Sequence, residues 1–376
     1  MKIYSQRPLF LFCLLVAPLI CVIFLVTLMG DGLPTKLPAG IVDEDNTKIT
    51  RIIRRTIDAM EETDIRYSYP DFSAARKAMQ RGEIYAFFYI PEGTTEKAIA
   101  NRQPRISFYT NESYFVPGTL LMRDMRTASE LTGLALTREN LYGHGATEER
   151  AMGVIQPIVI ETHPMNNPEL DYSVYLNNIL VPGILILLIM LSTAYTIGLE
   201  WKQGTQKQLY ALAGNSSSVA LIGKLLPQTV IFCLMFFLYD VYFYKIMQFP
   251  CNSGIGAMMV LGILTVFASQ GFGVFFFGVF SGRMRLAMCL CSLWGILSFS
   301  IAGFTYPVLA MSPILKIASW LFPLRQYYLI YVNQALNGYS ISYVWTSIIA
   351  LVCFGLLPVA IMWKYRLAFL KYKYQE

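Results

Sequence analysis

The stretch "EWKQGTQKQLYAL" sets an acid, two lysines, a glycine and a hydroxyl between two long apolar runs: Glu200, Lys202, Gly204, Thr205 and Lys207, followed by Leu209. The chemistry such a mixture offers is contact chemistry. Gly204 permits a turn or close backbone approach, Thr205 can cap a helix, and Leu209, Tyr210 and Leu212 offer apolar contacts to a partner. The competing reading is a solvated loop whose lysines fix topology.

Other chemistry-bearing residues are few. Asp240 lies inside an apolar run, where a carboxylate is a functional candidate. Its neighbours Tyr239, Tyr242 and Tyr244 read as an outer aromatic belt, which places Asp240 near water. Ser269 and Gln270 can face the interior of a helix bundle, and with Asp240 they are weak candidates for a transport path. Gly278 and Gly282 are spaced for close helix packing. Neither His144 nor His163 has a cysteine or second histidine at metal-ligand spacing, so no metal site is expected. Nearly all the cysteines fall inside apolar runs and none in the polar region 31–175, which argues against a disulfide framework. The "ALIGKLL" segment has a Gly-Lys but lacks the earlier glycine and the following hydroxyl of a phosphate loop. This chain is therefore not expected to hydrolyse ATP itself, and no cofactor is expected on it. No nucleic-acid partner is expected.

The elements that hold these residues follow from composition. Of 376 residues, 55% are hydrophobic and only 14% charged, too apolar for an ordinary soluble protein. All acidic residues but Glu200, Asp240 and Glu376 fall between Asp31 and Asp171, so two environments are implied. Six stretches reach the roughly 20 apolar residues of a membrane span: 9–29, 177–199, 226–246, 254–280, 286–309 and 343–363. The first lacks a small-x-small cleavage pattern and reads as a retained anchor. With the N-terminus inside, Lys2, Arg7, Lys202, Lys207, Lys224, Arg283, Arg285, Lys364, Arg366, Lys371 and Lys373 face the cytoplasm. Only Lys245, Lys316 and Arg325 lie on the short outer loops, as the positive-inside rule requires. Both termini come out cytoplasmic.

Region 31–175 has the pattern of a folded extracytoplasmic domain. "AGIVDED", "DIRYSYP", "EIYAFFYIP" and "RISFYTN" read as strands. Helices are expected behind an Asn46 or Thr47 cap, in "DFSAARKAMQRG" and in "TTEKAIANRQ". A long helix over about 118–142 and a returning strand "VIQPIVIET" complete it. Alternating strands and helices argue for an α/β domain. Its acids form no catalytic set, so no enzyme activity is assigned. Before the last span, Ser312 and Pro313 start a short apolar helix that Pro323 ends, and "LRQYYLIYVNQALNG" follows as a second one closing at Gly338. Residues 310–338 thus read as a re-entrant or interfacial pair.

The order of these residues adds a resemblance. "EWKQGTQKQLYALAGNSSSVALIGKLLP" resembles the Glu-x-x-x-Gly-Thr-x-x-x-Leu segment, with its later Gly-Lys-x-x-Pro, of permease subunits of type 2 ATP-binding-cassette (ABC-2) exporters. "SIAGFTYPVLAMSPILKIASWLFPLRQYYLIYVNQALNG" is similar to the stretch ahead of the family's last span. "GIVDEDNTKIT" and "GEIYAFFYIPEGTTEKAI" are similar to the outer domain of its longer members. The family's common Glu-Arg-Glu is Glu200, Trp201 and Lys202 here. The resemblance implies a mainly α-helical polytopic membrane protein: six transmembrane helices and an α/β domain inserted after the first, with domains 1–30, 31–175 and 176–376. It implies that Glu200, Gly204, Thr205 and Leu209 lie in a coupling segment (200–225) that receives motion from a cytoplasmic ABC ATPase subunit. The expected protein is an exporter permease in a bacterial inner membrane, paired with a second or related permease. It would move a hydrophobic or amphipathic substrate (drug, lipid or peptide), with a periplasmic adaptor as a further candidate partner. The rival reading is a membrane-anchored receptor or secretion accessory protein whose outer domain binds a ligand.

Overall fold

A computed structural model describes residues 12–30, 32–100, 102, 104–157, 161, 163–280 and 283–371. The chain divides into two compact units, Leu33–His163 and a helical unit made of the remaining N- and C-terminal segments.

The helical unit begins with a π-helical turn, Phe12–Val16, that runs into α1 (Ala17–Leu28). This described part is shorter than the expected 9–29 span, whose first three residues lie outside the described set, as do Lys2 and Arg7.

The second unit is built on β1 (Leu37–Asp43), α2 (Lys48–Asp58), β2 (Thr63–Tyr69), α3 (Phe72–Gln80), β3 (Ala86–Ile90), α4 (Thr94–Ile99), β4 (Ser107–Thr110), α5 (Phe115–Gly143) and α6 (Glu148–Ile155). The sheet order is β2-β1-β3-β4, with β1 parallel to β2 and β3, and β4 antiparallel to β3. Side chains alternate across a strand, so β1 serves two cores. Ala39 and Ile41 pack with Ile57 of α2 and Ala128 of α5, while Val42 packs with Ala75 and Ala78 of α3. Both faces are covered, as expected of an α/β unit. Thr47, not Asn46, caps α2: its side chain and that of Thr50 each accept from the other's backbone N–H. Asp124 on α5 accepts from the Glu62 backbone N–H (3.1 Å) and the Thr63 hydroxyl (2.8 Å), and Arg123 pairs with Glu62. These contacts fix the long helix to the start of β2. Two expectations are corrected. The helix expected over "TTEKAIANRQ" closes at Ile99, and Val154 and Ile155 end α6 rather than opening a strand; residues 158–160 and 162 of that segment lie outside the described set.

The helical unit resumes with α7 (Tyr172–Gln203), α8 (Gln206–Leu212), α9 (Ser217–Val241, continued by a π-helical turn to Ile246), α10 (Ile255–Val279) and α11 (Met284–Ile301). Short helices α12 (Pro313–Ser319) and α13 (Pro323–Tyr331) precede α14 (Trp345–Ala360) and α15 (Met362–Lys371). Among the described residues, five helices are long and apolar enough to cross a membrane: Tyr172–Gln203, Ser217–Ile246, Ile255–Val279, Met284–Ile301 and Ile341–Leu370. The expected 286–309 run stops at Ile301, and Val308–Ala310 forms a separate short turn. Pro313 and Pro323 each open a helix, where a missing N–H costs nothing.

At the centre, α10 packs against α7 and α14. A Cβ at Gly271 would collide with the Phe354 carbonyl and the Gly355 Cα, so glycine lets the two backbones approach. At Gly278 a Cβ would meet the side chains of Ile361 and Tyr365 instead; Gly282 lies outside the described residues.

Candidate functional site

Helix α7 ends because Gly204 adopts φ +73°, a left-handed conformation that glycine takes without steric cost. The Gly204 N–H donates to the Trp201 carbonyl (3.2 Å) and the Thr205 N–H to the Glu200 carbonyl (3.0 Å), a Schellman arrangement. The chain therefore turns sharply and restarts as α8. Thr205 stands at the N-cap position of α8 but makes no side-chain cap bond. Its hydroxyl instead donates to Glu200 Oε2, while Lys224 Nζ, on α9, donates to Glu200 Oε1.

One carboxylate thus joins three helices. The Glu200 and Lys224 side chains are only 9% and 10% exposed, so the pair is largely withdrawn from water. Aromatic residues surround it on one side: Trp201 packs on Phe369, and Tyr210 of α8 stacks on the same ring (centroids 4.9 and 5.4 Å). Leu209 is half-buried against this cluster. On the other side, α8 and the start of α9 border a cleft of about 490 Å³ whose lining includes Glu200, Thr205, Leu209, Leu212, Val219 and Lys224. Lys202 and Lys207 are exposed at its margin, and Leu212 is 87% exposed. Of the six expected coupling residues, Glu200, Gly204 and Thr205 form one bonded unit. Leu209 supports it, and the two lysines contribute surface charge.

Sequence reasoning counted Lys224 among the topology lysines and in the Gly-Lys-x-x-Pro motif, but did not pair it with Glu200. An acid closing one apolar run and a lysine entering the next was the available signal, because charges withdrawn from water must pair. Further in, Gln228 lies one turn beyond Lys224 on α9 and is fully buried. Its Nε2 donates to Ser192 and Thr193 of α7 (both 2.9 Å), and Thr196 Oγ1 lies 3.0 Å from its Oε1. Thr229 Oγ1 lies 2.9 Å from Gln270 Oε1 on α10. A ladder of polar contacts therefore runs from Glu200 into the bundle, joining α7, α9 and α10.

The three weak path candidates, Asp240, Ser269 and Gln270, are all buried. Gln270 belongs to the ladder, whereas Ser269 returns its hydroxyl to the Thr265 carbonyl (2.7 Å) and is fully buried. Asp240 is 1% exposed, enclosed by the protein near the tyrosine-rich end of α9.

The ends of the bundle differ in charge. Lys202, Lys207, Lys224, Arg283 and Lys364 lie on elements gathered around the Trp201, Tyr210, Phe277 and Phe369 cluster at one end.

Among the described residues, five helices long and apolar enough to cross a bilayer, with a charged junction joining α7, α8 and α9, define a polytopic membrane protein. The sequence profile of the ABC-2 family transporter proteins matches residues 8–364, and the chain belongs to that family. No curated protein matches it. Membership makes the chain the membrane component of an ABC transporter, a permease whose family works with a separate ABC ATPase subunit.

Proposed function

We propose that this chain is an exporter permease driven by a cytoplasmic ATPase that docks on α8 and the adjoining cleft. The observation that carries the reading is the Glu200 carboxylate held at once by Thr205 and Lys224. A push on α8 reaches α7 and α9 together through that group; deeper in the bundle Gln228 ties α9 to α7, and Thr229 ties α9 to α10. ATP-driven closure of the partner would tilt these helices and change the side to which the path opens.

The same reading orients the molecule. The basic end of the bundle is cytoplasmic by the positive-inside rule, the first hydrophobic segment completes six spans, and Leu33–His163 is extracytoplasmic. The protein sits in a bacterial inner membrane with both termini inside. It pairs with a second copy or a related permease, since a path shared by two subunits is built by symmetry or pseudosymmetry. A hydrophobic or amphipathic molecule is the cargo; ATP and magnesium bind the partner.

The test is affinity purification of the full chain in mild detergent, with mass spectrometry and an ATPase assay of what accompanies it. Copurification of a nucleotide-binding subunit, lost in a Gly204→Arg, Thr205→Arg double variant, is expected. Absence of any ATPase in several detergents would overturn the reading.

A further inference from the structure

One core of the second unit stays open on one side. Ile57 is buried with Ala39, Ile41 and Phe88 beneath α2 and α5, while Ile53, Ile106 and Met125 pack on the same core only partly buried. These isoleucines and Met125 line a pocket of about 450 Å³, bounded by α2, α5 and the chain entering β4. Protein interiors leave few voids larger than a water molecule, so packing alone gives no reason to keep this one. Its size lies in the range of small-molecule sites, and apolar walls with a few polar groups are their usual form.

The polar lining comes from Arg105, Ser107, Ser129 and Thr132. Thr132 returns its hydroxyl to the Ala128 carbonyl (2.7 Å). Among the described residues, Arg105 forms no ion pair, and the hydroxyls of Ser107 and Ser129 have no protein partner. All three groups can donate. No acid is among the described lining residues: Asp58, next to Ile57 on α2, accepts instead from the Ile65 backbone N–H (2.8 Å). Arg54, which follows Ile53, is exposed and adds a second positive charge to that turn of α2.

We infer that this pocket binds an amphiphile with an anionic head, a fatty carboxylate or an alkyl phosphate. The tail completes the core against Ile53, Ile57, Ile106 and Met125, and the head takes the Arg105 guanidinium and the two serine hydroxyls. A guanidinium offers paired N–H donors that match the oxygens of either head. A cationic amphiphile meets Arg105 as a like charge, and a neutral one gains the apolar walls alone. The inference goes beyond the permease reading, since it assigns a ligand to Leu33–His163 and needs no ATPase.

The experiment uses the full-length permease in lipid nanodiscs, with decanoate carrying a diazirine in its tail as probe. Mildly alkaline pH keeps the carboxylate ionised, and adducts formed on irradiation are mapped by mass spectrometry. Adducts concentrated on α2, α5 and residues 104–107 are expected. Unlabelled decanoate and decyl phosphate should compete, decyltrimethylammonium and decanol far less, and whichever anion competes at lower concentration names the head. Half-maximal labelling of Arg105→Gln should need about tenfold more probe. Ser129→Trp, which fills the pocket, should abolish labelling of these segments while adducts elsewhere persist. Both residues are exposed, so neither variant removes a buried contact. Undiminished labelling of Arg105→Gln would overturn the inference, as would equal competition by decyltrimethylammonium. So would adducts spread over the membrane helices with none enriched at the pocket. Labelling is read on the permease alone: its failure leaves ATPase docking untouched, and failure of the docking test leaves this site standing.

Discussion

Lys224 reaches across 24 residues of sequence to the carboxylate of Glu200, and both side chains are about nine-tenths buried. The contact fastens the end of α7 to the first turns of α9, and the Thr205 hydroxyl brings the start of α8 to the same carboxylate.

Removing one partner leaves the other charge buried and unpaired. Glu200→Gln or Lys224→Met should each cost about 3 kcal/mol, while the double variant should lose less than the sum of the two. Denaturant or thermal unfolding of the purified chain, read as a double-mutant cycle, checks this. Additive losses would mean that the two groups do not interact.

Three glycines should respond differently to alanine. Gly204→Ala forces a Cβ into a left-handed backbone and should cost about 1 kcal/mol. Gly271→Ala drives a methyl into the backbone of α14 and should cost more, about 2 kcal/mol or above. Gly223→Ala meets open space inside α9 and should be neutral or stabilising by up to about 1 kcal/mol. Melting temperatures of the three variants should therefore rank Gly223→Ala first and Gly271→Ala last.

Gln228→Leu deletes the rung between α7 and α9 while preserving bulk. A loss of about 1 to 2 kcal/mol is expected from the orphaned hydroxyls of Ser192 and Thr193. In the complete transporter, ATP hydrolysis should persist while transport per ATP falls. The ratio of the two rates in proteoliposomes measures that uncoupling; a variant with an unchanged ratio would remove Gln228 from the coupling route.

Much of this arrangement was readable from local pattern. The alternating strands and helices of the second unit, a cap at Asn46 or Thr47 and the turn at Gly204 follow from signals within a few residues. So does the grouping of Glu200 with Thr205. What the pattern did not reveal depends on contacts between distant segments. Lys224 and Gln228 look like a topology charge and an isolated polar residue until α9 lies against α7. That Asp240 is enclosed by the protein is likewise not visible in the tyrosines that flank it in sequence. The opening of the expected return strand was misread for a local reason: Val154 and Ile155 are apolar and β-branched, yet they finish the helix that starts at Glu148.

The second unit offers a pH test. The Thr95 hydroxyl (2.5 Å) and backbone N–H, together with the Gly93 N–H, hold the Asp45 carboxyl below the usual carboxylate range. A group whose folded value is depressed adds stability above its unfolded pKa of about 3.9 and loses it as pH falls through the folded value. The stability gap between native protein and Asp45→Ala should therefore be level above about pH 5 and shrink below about pH 4. Acid titration of hydrogen-exchange protection in α4 reads it; a gap that widens on acidification would contradict the bonding described.

The most direct probe of ATPase docking on α8 is a photo-crosslinking residue at Leu212, 87% exposed beside the cleft, introduced into the full transporter in cells. Leu309, 90% exposed and far from the α8 junction in sequence, serves as the control. An adduct between permease and nucleotide-binding subunit at position 212, and none at 309, is the expected result. An ATPase that crosslinks at 309 or at neither position, while still copurifying with the chain, would contradict docking at this junction.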